Sequence, residues 1–148
     1  MALGPYSGPI LPAHKAALLR NADVVVSTLP GTPETHHYLS TTEFGQMKPG
    51  ATFISLGRGS VVDEAALLVA LGEGGSLGGA ALDVFEVEPL PKESPLWDVP
   101  DSKLLLSAHN ADFTNDYFDL GWQVWAKNYE AFVRFESFPT PVDTNAGY

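Results

Sequence analysis

The sequence predicts an α/β protein with a parallel sheet, flanking helices and a long C-terminal helix. Four short apolar runs are each bounded by glycine, proline or polar residues, which is the pattern of buried parallel strands. Segments with helical spacing separate these runs, and such alternation implies right-handed crossovers between parallel strands. Aromatic residues near the C-terminus step by 4, 3, 4 and 3 positions, as on one face of a helix.

Each predicted element has a local reason. The strands are the apolar, largely β-branched or leucine-rich runs at 23–29, 51–56, 80–85 and 103–107. Helices are expected at 14–20, from Thr41 or Thr42 to Met47, from a cap at Asp63 to Leu71, and at 113–135. The glycine-rich stretch 72–79 should be a flexible exit from the third helix. We expect the aromatic face of the last helix to form core or a subunit or domain contact: Phe118, Trp122, Trp125, Tyr129 and Phe132.

Composition narrows the function classes. The 148 residues carry a net charge of −10, which argues against nucleic acid or an anionic membrane as a partner. The chain has no cysteine, so thiolate chemistry and disulfides are excluded. No apolar run approaches the roughly 18 to 20 residues of a membrane helix, and the first residues do not resemble a signal peptide. The default expectation is a soluble cytoplasmic protein.

Residues able to do chemistry follow the predicted strands. Arg58 lies between Gly57 and Gly59 after the second strand, and a guanidinium there can bind a carboxylate with two hydrogen bonds. Asp83 and Glu88 lie at and after the third strand, and His109 follows the fourth. Because ligands bind at the carboxyl ends of parallel strands, one crevice could hold all of these side chains.

Simpler interpretations stay open for each residue. Arg58 could be a solvated turn residue, Glu88 part of a solvated acidic loop, and His109 a structural histidine. Asp83 could cap the following turn. Glu86 is interpreted as a surface residue. His36 and His37 are expected to be exposed in a loop without an acidic partner.

Several ordered blocks resemble one family, the D-isomer-specific 2-hydroxyacid dehydrogenases. The blocks are ADVVV at 22–26 with LPGTPET at 29–35, GRGSVVDE at 57–64, GAALDVFEVEPLP at 79–91 and SPLW at 94–97, followed by the His109 segment. The resemblance covers roughly residues 15–135. It implies a partial Rossmann-like sheet, with an irregular lead-in at 1–13, a partial dinucleotide-binding domain at 14–112, and a closing helix and extended tail at 113–148.

The resemblance also implies roles for individual residues. Arg58 would bind the substrate carboxylate and polarise its carbonyl, His109 would be the acid/base, and Glu88 would be the carboxylate paired with that histidine. Asp83 would touch the nicotinamide end of the cofactor. The remaining cofactor contacts implied by the family are Leu29, Pro30, Leu56, Gly57, Asn110 and Ala111. Reduction of a 2-keto acid places negative charge on oxygen, which an arginine and a protonated histidine both stabilise.

The implied activity is hydride transfer between NAD or NADP and a small 2-hydroxy or 2-keto acid, of the glyoxylate or hydroxypyruvate reductase kind. The full-length form is expected to be a homodimer. The family's Gly-x-Gly-x-x-Gly turn is absent from the 148 residues, so we expect a truncated chain with an open edge on its first strand and with weak dinucleotide binding or none. Two alternatives are a protein-binding, corepressor-like module that senses NADH, and an inactive fragment.

Overall fold

The computed structural model describes residues 12–145. Most of the predicted lead-in therefore lies outside the described residues. The described chain divides into two compact units, one ending at Ala108 and the other beginning at His109.

The first unit is built on a four-stranded parallel sheet in the order β1-β2-β3-β4. Its strands are β1 (Val24–Ser27), β2 (Ala51–Ser55), β3 (Leu77–Leu82) and β4 (Leu104–Leu106). Three α-helices accompany them: α1 (Pro12–Asn21), α2 (Thr41–Gln46) and α3 (Glu64–Leu71). Short 3-10 turns occur at Pro33–Thr35, Gly59–Val61 and Pro95–Asp98. The α/β class with a parallel sheet is confirmed.

The core lies on the face of the sheet that carries Phe53. The Phe53 side chain is fully buried, and its ring meets Phe44 of α2 edge-on at 5.3 Å between centroids. Leu67 of α3 belongs to the same buried cluster. Alternate residues of β2 are buried, as the two-residue period of a strand requires. Burial of these apolar side chains supplies the main stabilisation of the unit.

The opposite face of the sheet is more open. Val24 and Val26 of β1 are 53% and 52% exposed, and Leu105 of β4 is 62% exposed. Within residues 12–145, β1 pairs with β2 alone and forms an edge of the sheet. This edge therefore presents backbone hydrogen-bonding groups beside apolar side chains.

Two helix starts are set by side-chain caps. Asp63 accepts a hydrogen bond from the Ala66 backbone N–H at 3.0 Å, so the predicted cap of α3 is confirmed. The predicted cap of α2 was wrong by one or two residues, because Ser40 and not Thr41 or Thr42 precedes the helix. Glu43 accepts hydrogen bonds from the backbone and the hydroxyl of Ser40, at 3.2 and 3.3 Å. The signal was in the sequence, as Ser-x-x-Glu at 40–43.

The third strand was predicted too late in the chain. It covers Leu77–Leu82, so Gly78 and Gly79 are strand residues and not a flexible exit. Gly79 pairs with Thr52 in the sheet, and a Cβ at Gly78 would lie only 2.5 Å from the Gly50 carbonyl oxygen. Close approach of a neighbouring backbone is a recognised reason for glycine inside a strand.

The second unit contains the long helix α4 (Tyr117–Val133). The helix is shorter than predicted, since it begins at Tyr117 and not at Phe113. The Phe113 ring stacks on Tyr117 at 5.6 Å between ring centroids. Trp122 stacks on Trp125 at 4.9 Å, and Trp125 stacks on Tyr129 at 5.2 Å. These three rings are between 52% and 65% exposed. They form no core of their own, so a subunit or domain contact stays the prediction.

Among the described residues, no helix is both long and apolar enough to cross a membrane.

Candidate active site

Arg58 stands on the turn between β2 and α3. Its backbone is extended, and a single 3-10 turn, Gly59–Val61, follows it. The side chain is exposed, and its Nη1 donates a hydrogen bond to the Gly57 carbonyl at 2.9 Å. The guanidinium thus lies at the surface at the carboxyl end of β2, held by the backbone of its own turn. An exposed cation at this end of a parallel strand can reach an anionic ligand.

The turn after β1 lies against the Arg58 turn. A Cβ at Gly57 would meet the Leu29 carbonyl oxygen at 2.4 Å, and a Cβ at Gly31 would lie 3.3 Å from the Cβ and Cγ of Arg58. Thr35 holds this turn by donating a hydrogen bond to the Pro30 carbonyl at 2.6 Å. Leu29 and Pro30 are half-buried. The contact between the two turns therefore brings together predicted cofactor-binding residues that follow β1 and β2. Leu56, also predicted to contact the cofactor, is 42% exposed.

Asp83 is a buried carboxylate at the end of β3. Its side chain is 3% exposed, and its Oδ1 accepts a hydrogen bond from the Ser107 hydroxyl at 2.6 Å. Its backbone N–H donates to the Ser55 carbonyl at 3.0 Å. These contacts tie Asp83 to the ends of β2 and β4. A carboxylate this well buried requires donors such as Ser107 to offset the loss of water.

Glu88 lies on the loop after β3, and this loop rests on the Arg58 turn. The Glu88 Oε1 accepts a hydrogen bond from the Phe85 backbone N–H at 2.9 Å. The Phe85 carbonyl is packed directly against Gly59, where a Cβ would be 1.8 Å from its oxygen. The loops that carry Arg58 and Glu88 are thus in contact through their backbones.

His109, Asn110 and Ala111 belong to the second unit and are exposed. His109 adopts a left-handed conformation with φ of 51°, which is uncommon for a residue other than glycine. The Asn110 carbonyl accepts a hydrogen bond from the Phe113 N–H at 3.0 Å. Within this unit the three residues form the turn that leads toward α4.

The structure corrects the interpretation of His37. It is not an isolated loop histidine, since its Nε2 lies 3.2 Å from the Glu86 Oε1. No hydrogen bond joins these two atoms. Glu86 is exposed, as predicted, but its carboxylate also accepts a hydrogen bond from the Glu64 N–H at 2.9 Å. Sequence reasoning missed this group because its members are far apart along the chain and meet only at the carboxyl edge of the sheet.

The carboxylate of Glu64 completes that group. It accepts a hydrogen bond from the Glu86 backbone N–H at 2.8 Å. Burial raises the pKa of Glu64 above its ordinary value; the hydrogen bond from Glu86 opposes this rise, and the negative charge of Glu86 adds to it. The causes are those expected for a carboxylate that loses water beside a second carboxylate.

A parallel sheet whose successive loops carry an arginine, a buried aspartate and a glutamate at one edge has the architecture of α/β proteins that bind ligands at the carboxyl ends of their strands. Residues 10–111 match the family described as the D-isomer specific 2-hydroxyacid dehydrogenase, NAD binding domain. The chain belongs to this family.

Relatives and solved structures agree with this assignment. Glyoxylate/hydroxypyruvate reductase B of Citrobacter koseri is 53% identical over 83 residues, which are 56% of this chain and 25% of that protein. A D-isomer specific 2-hydroxyacid dehydrogenase of Xanthobacter autotrophicus Py2, solved with NADPH and MES, has a TM-score of 0.82 at 36% identity, over 93% of this chain and 55% of that one.

A third similar protein is the NADPH-dependent glyoxylate/hydroxypyruvate reductase of Sinorhizobium meliloti, solved with NADP and sulfate. It has a TM-score of 0.82 at 32% identity, over 93% of this chain and 43% of that one. The matched part of this chain spans about a quarter of the length of the first curated relatives, at 25% and 26%.

Proposed function

We propose that this chain carries the nucleotide-domain part of an NAD(P)-dependent 2-hydroxyacid dehydrogenase that reduces small 2-keto acids such as glyoxylate or hydroxypyruvate. The observation that carries the proposal is the position of Arg58, exposed on a turn enclosed by the loops after β1 and β3. A planar guanidinium matches the two oxygens of a carboxylate. The named relatives act on the same substrate class.

The residues present suit the nicotinamide end of the cofactor. By its motif, Asp83 would accept a hydrogen bond from the carboxamide of the nicotinamide, and Ser107 holds its carboxylate at the carboxyl edge of the sheet. When bound, the reduced cofactor supplies the hydride. The backbones of Leu29 and Gly57 pack against each other after β1 and β2 and would form part of the wall of the cofactor site.

The side chains of this protein would then stabilise the negative charge on the carbonyl oxygen and supply the proton that this oxygen receives. Arg58 would hold the substrate carboxylate and stabilise the negative charge that develops on the carbonyl oxygen. His109 would give its proton to that oxygen, so that the hydride and the proton together complete the hydroxyl group. Glu88 would be the carboxylate that the motif assigns to act with this histidine. The roles of His109 and Glu88 are proposed from their motifs.

The test is keto-acid-dependent oxidation of NADPH and of NADH, followed by nicotinamide absorbance, in the chain and in Arg58→Ala and Arg58→Lys. Loss of a bidentate arginine should raise the KM for glyoxylate by roughly 10- to 100-fold, because a hydrogen-bonded charge pair is worth about 1.5 to 3 kcal/mol. Lysine should restore little of this loss. Arg20→Ala, at an exposed position of α1, is the matched control. Unchanged glyoxylate kinetics in Arg58→Ala would exclude the proposed role.

A second function is favoured by the exposed rings of α4. Trp122, Trp125 and Tyr129 form a continuous stack that is more than half exposed, and aromatic side chains are enriched at protein interfaces. A protein-binding module that senses NADH would use this face. Partner binding that is lost in Trp125→Ala and kept in Arg58→Ala would support it.

A further inference from the structure

Three segments from different parts of the first unit meet at the Glu86 carboxylate. Glu86 lies on the loop after β3, Glu64 is the first residue of α3, and His37 lies on the connection between β1 and α2. The same Oε1 of Glu86 accepts the Glu64 N–H at 2.9 Å and lies 3.2 Å from the His37 Nε2. Glu64 returns the contact by accepting the Glu86 N–H at 2.8 Å.

Glu64 and Glu86 are joined by two reciprocal hydrogen bonds from backbone to carboxylate, and do not merely lie near each other at the surface. The Glu64 N–H is one of the helix N-terminal donors that have no partner within their own helix, and Glu86 supplies that partner from another loop. Two carboxylates repel each other at close range. Here each is bound to a backbone N–H of the other residue, so the hydrogen bonds hold the two segments together despite the repulsion.

The joined segments border the proposed catalytic residues. The His37 N–H donates to the Ser60 carbonyl at 2.8 Å, within the turn that follows Arg58. On the other side, Phe85 precedes Glu86, and its N–H is bound by the Glu88 carboxylate at 2.9 Å. Between them, the Phe85 carbonyl lies against Gly59. Movement of Glu86 away from α3 would therefore move the Glu88 loop relative to the Arg58 turn.

We propose that Glu86, bound to Glu64 and beside His37, is a positioning residue that sets the separation between Arg58 and Glu88. The inference rests on the proposed function, since it assigns Glu86 to the support of that same site. Catalytic groups must be held closely, and a displacement of about 1 Å can reduce the rate by a factor of about 100. Glu86 acts on the reaction only through the loops that it joins.

Two substitutions separate the hydrogen bond from the charge. Glu86→Gln keeps an oxygen that can accept the Glu64 N–H, whereas Glu86→Ala removes the acceptor. We expect Glu86→Ala to lower kcat/KM for glyoxylate roughly 10- to 100-fold, with the KM for NADPH unchanged. Glu86→Gln should stay within about threefold of the unchanged chain. Glu93→Ala, which removes an exposed carboxylate from the same region of chain, controls for the loss of negative charge.

Hydrogen exchange without cofactor or substrate gives the independent readout. In Glu86→Ala the amides of 58–62, 64 and 84–88 should exchange at least tenfold faster, while those of β2 and β3 should keep their protection, because local opening leaves the sheet intact. Unchanged exchange at these loops would show that Glu86 does not hold them together and would overturn the proposal. Faster exchange with unchanged kcat/KM would overturn the positioning role alone.

The two proposals fail in different ways. If the unchanged chain reduces no keto acid, the proposed function fails, and the positioning role fails with it. The exchange data would still decide whether Glu86 holds the loops together. If the unchanged chain is active and Glu86→Ala matches it in kcat/KM, only the positioning role is overturned.

Discussion

The α-carbon of Gly59 faces the carbonyl of Phe85 at a distance that admits no side chain. A Cβ at position 59 would lie 1.8 Å from the Phe85 oxygen and 1.9 Å from its carbonyl carbon. The contact joins the turn after β2 to the loop after β3. It places the segments that carry Arg58 and Glu88 side by side through contacts within the protein itself.

Gly59→Ala should therefore be destabilising. The methyl group would meet backbone atoms, which cannot turn away as a flexible side chain could, so one loop must shift. We expect a loss of about 3 kcal/mol in the free energy of unfolding, at the upper end of the range for overpacking. Urea unfolding measures it. Gly45→Ala is the matched control, since a Cβ there meets nothing within 4 Å, and alanine should add up to about 1 kcal/mol in the helix. Equal midpoints for Gly59→Ala and the unchanged chain would refute the expectation.

Ser107→Ala tests the buried Asp83. The substitution removes the hydroxyl that donates to the Asp83 Oδ1 at 2.6 Å and leaves a buried carboxylate with one donor fewer. We expect a loss of about 1.5 to 3 kcal/mol in the free energy of unfolding, the usual value for a hydrogen bond to a charged group. Ser102→Ala, at an exposed position before β4, should change it by less than about 0.5 kcal/mol. A loss of the same size in both variants would show that the hydrogen bond from Ser107 to Asp83 adds nothing specific to the free energy of unfolding.

Glu43 should make the fold more stable near neutral pH than in acid. Burial alone would raise the pKa of Glu43, but hydrogen bonds from Lys15 and from the Ser40 backbone outweigh it, so its pKa lies below the ordinary 4.5. A lowered pKa means that the stabilisation is present above the unfolded-state value and is lost as the pH falls through the folded-state value. Glu43→Gln should therefore cost most near neutral pH and progressively less below about pH 4.5.

The measurement for Glu43 is the free energy of unfolding as a function of pH, compared between Glu43→Gln and the unchanged chain. Glu73→Gln, on the exposed turn after α3, is the control and should follow the unchanged chain. A difference for Glu43→Gln that stays constant across this pH range would contradict the expectation.

Glu64 should show the opposite dependence. Its pKa is raised, chiefly by burial, so its contribution is most favourable below the unfolded-state pKa and is lost as the pH rises through the folded-state pKa. Glu64→Gln keeps an acceptor for the Glu86 N–H and removes the charge. The variant should gain stability relative to the unchanged chain as the pH rises above that range. Chemical unfolding at mildly acidic and at neutral pH would detect the change, and a relative loss on raising the pH would reverse the assigned sign.

Parts of this fold could be predicted from local sequence. The β-branched run before Leu29 and the apolar run before Leu56 predicted β1 and β2 to within a few residues, because short apolar runs bounded by glycine, proline or polar residues are typical of buried strands. Asp63 was correctly predicted as a helix cap, since capping depends on nearby atoms. Gly78 and Gly79 misled the prediction of β3, because their strand conformation comes from the neighbouring backbones of β2 and β4.

The sequence alone determined the α/β class, the order of its elements and the motifs by which the chain belongs to its family. These follow from spacing and from residue types that act over a few positions. Only the tertiary structure decided that Phe85 rests on Gly59, that Ser107 binds Asp83, and that Glu86 joins Glu64 beside His37. Such contacts form where parallel strands bring distant loops to one edge, and their distances depend on packing that local patterns do not contain.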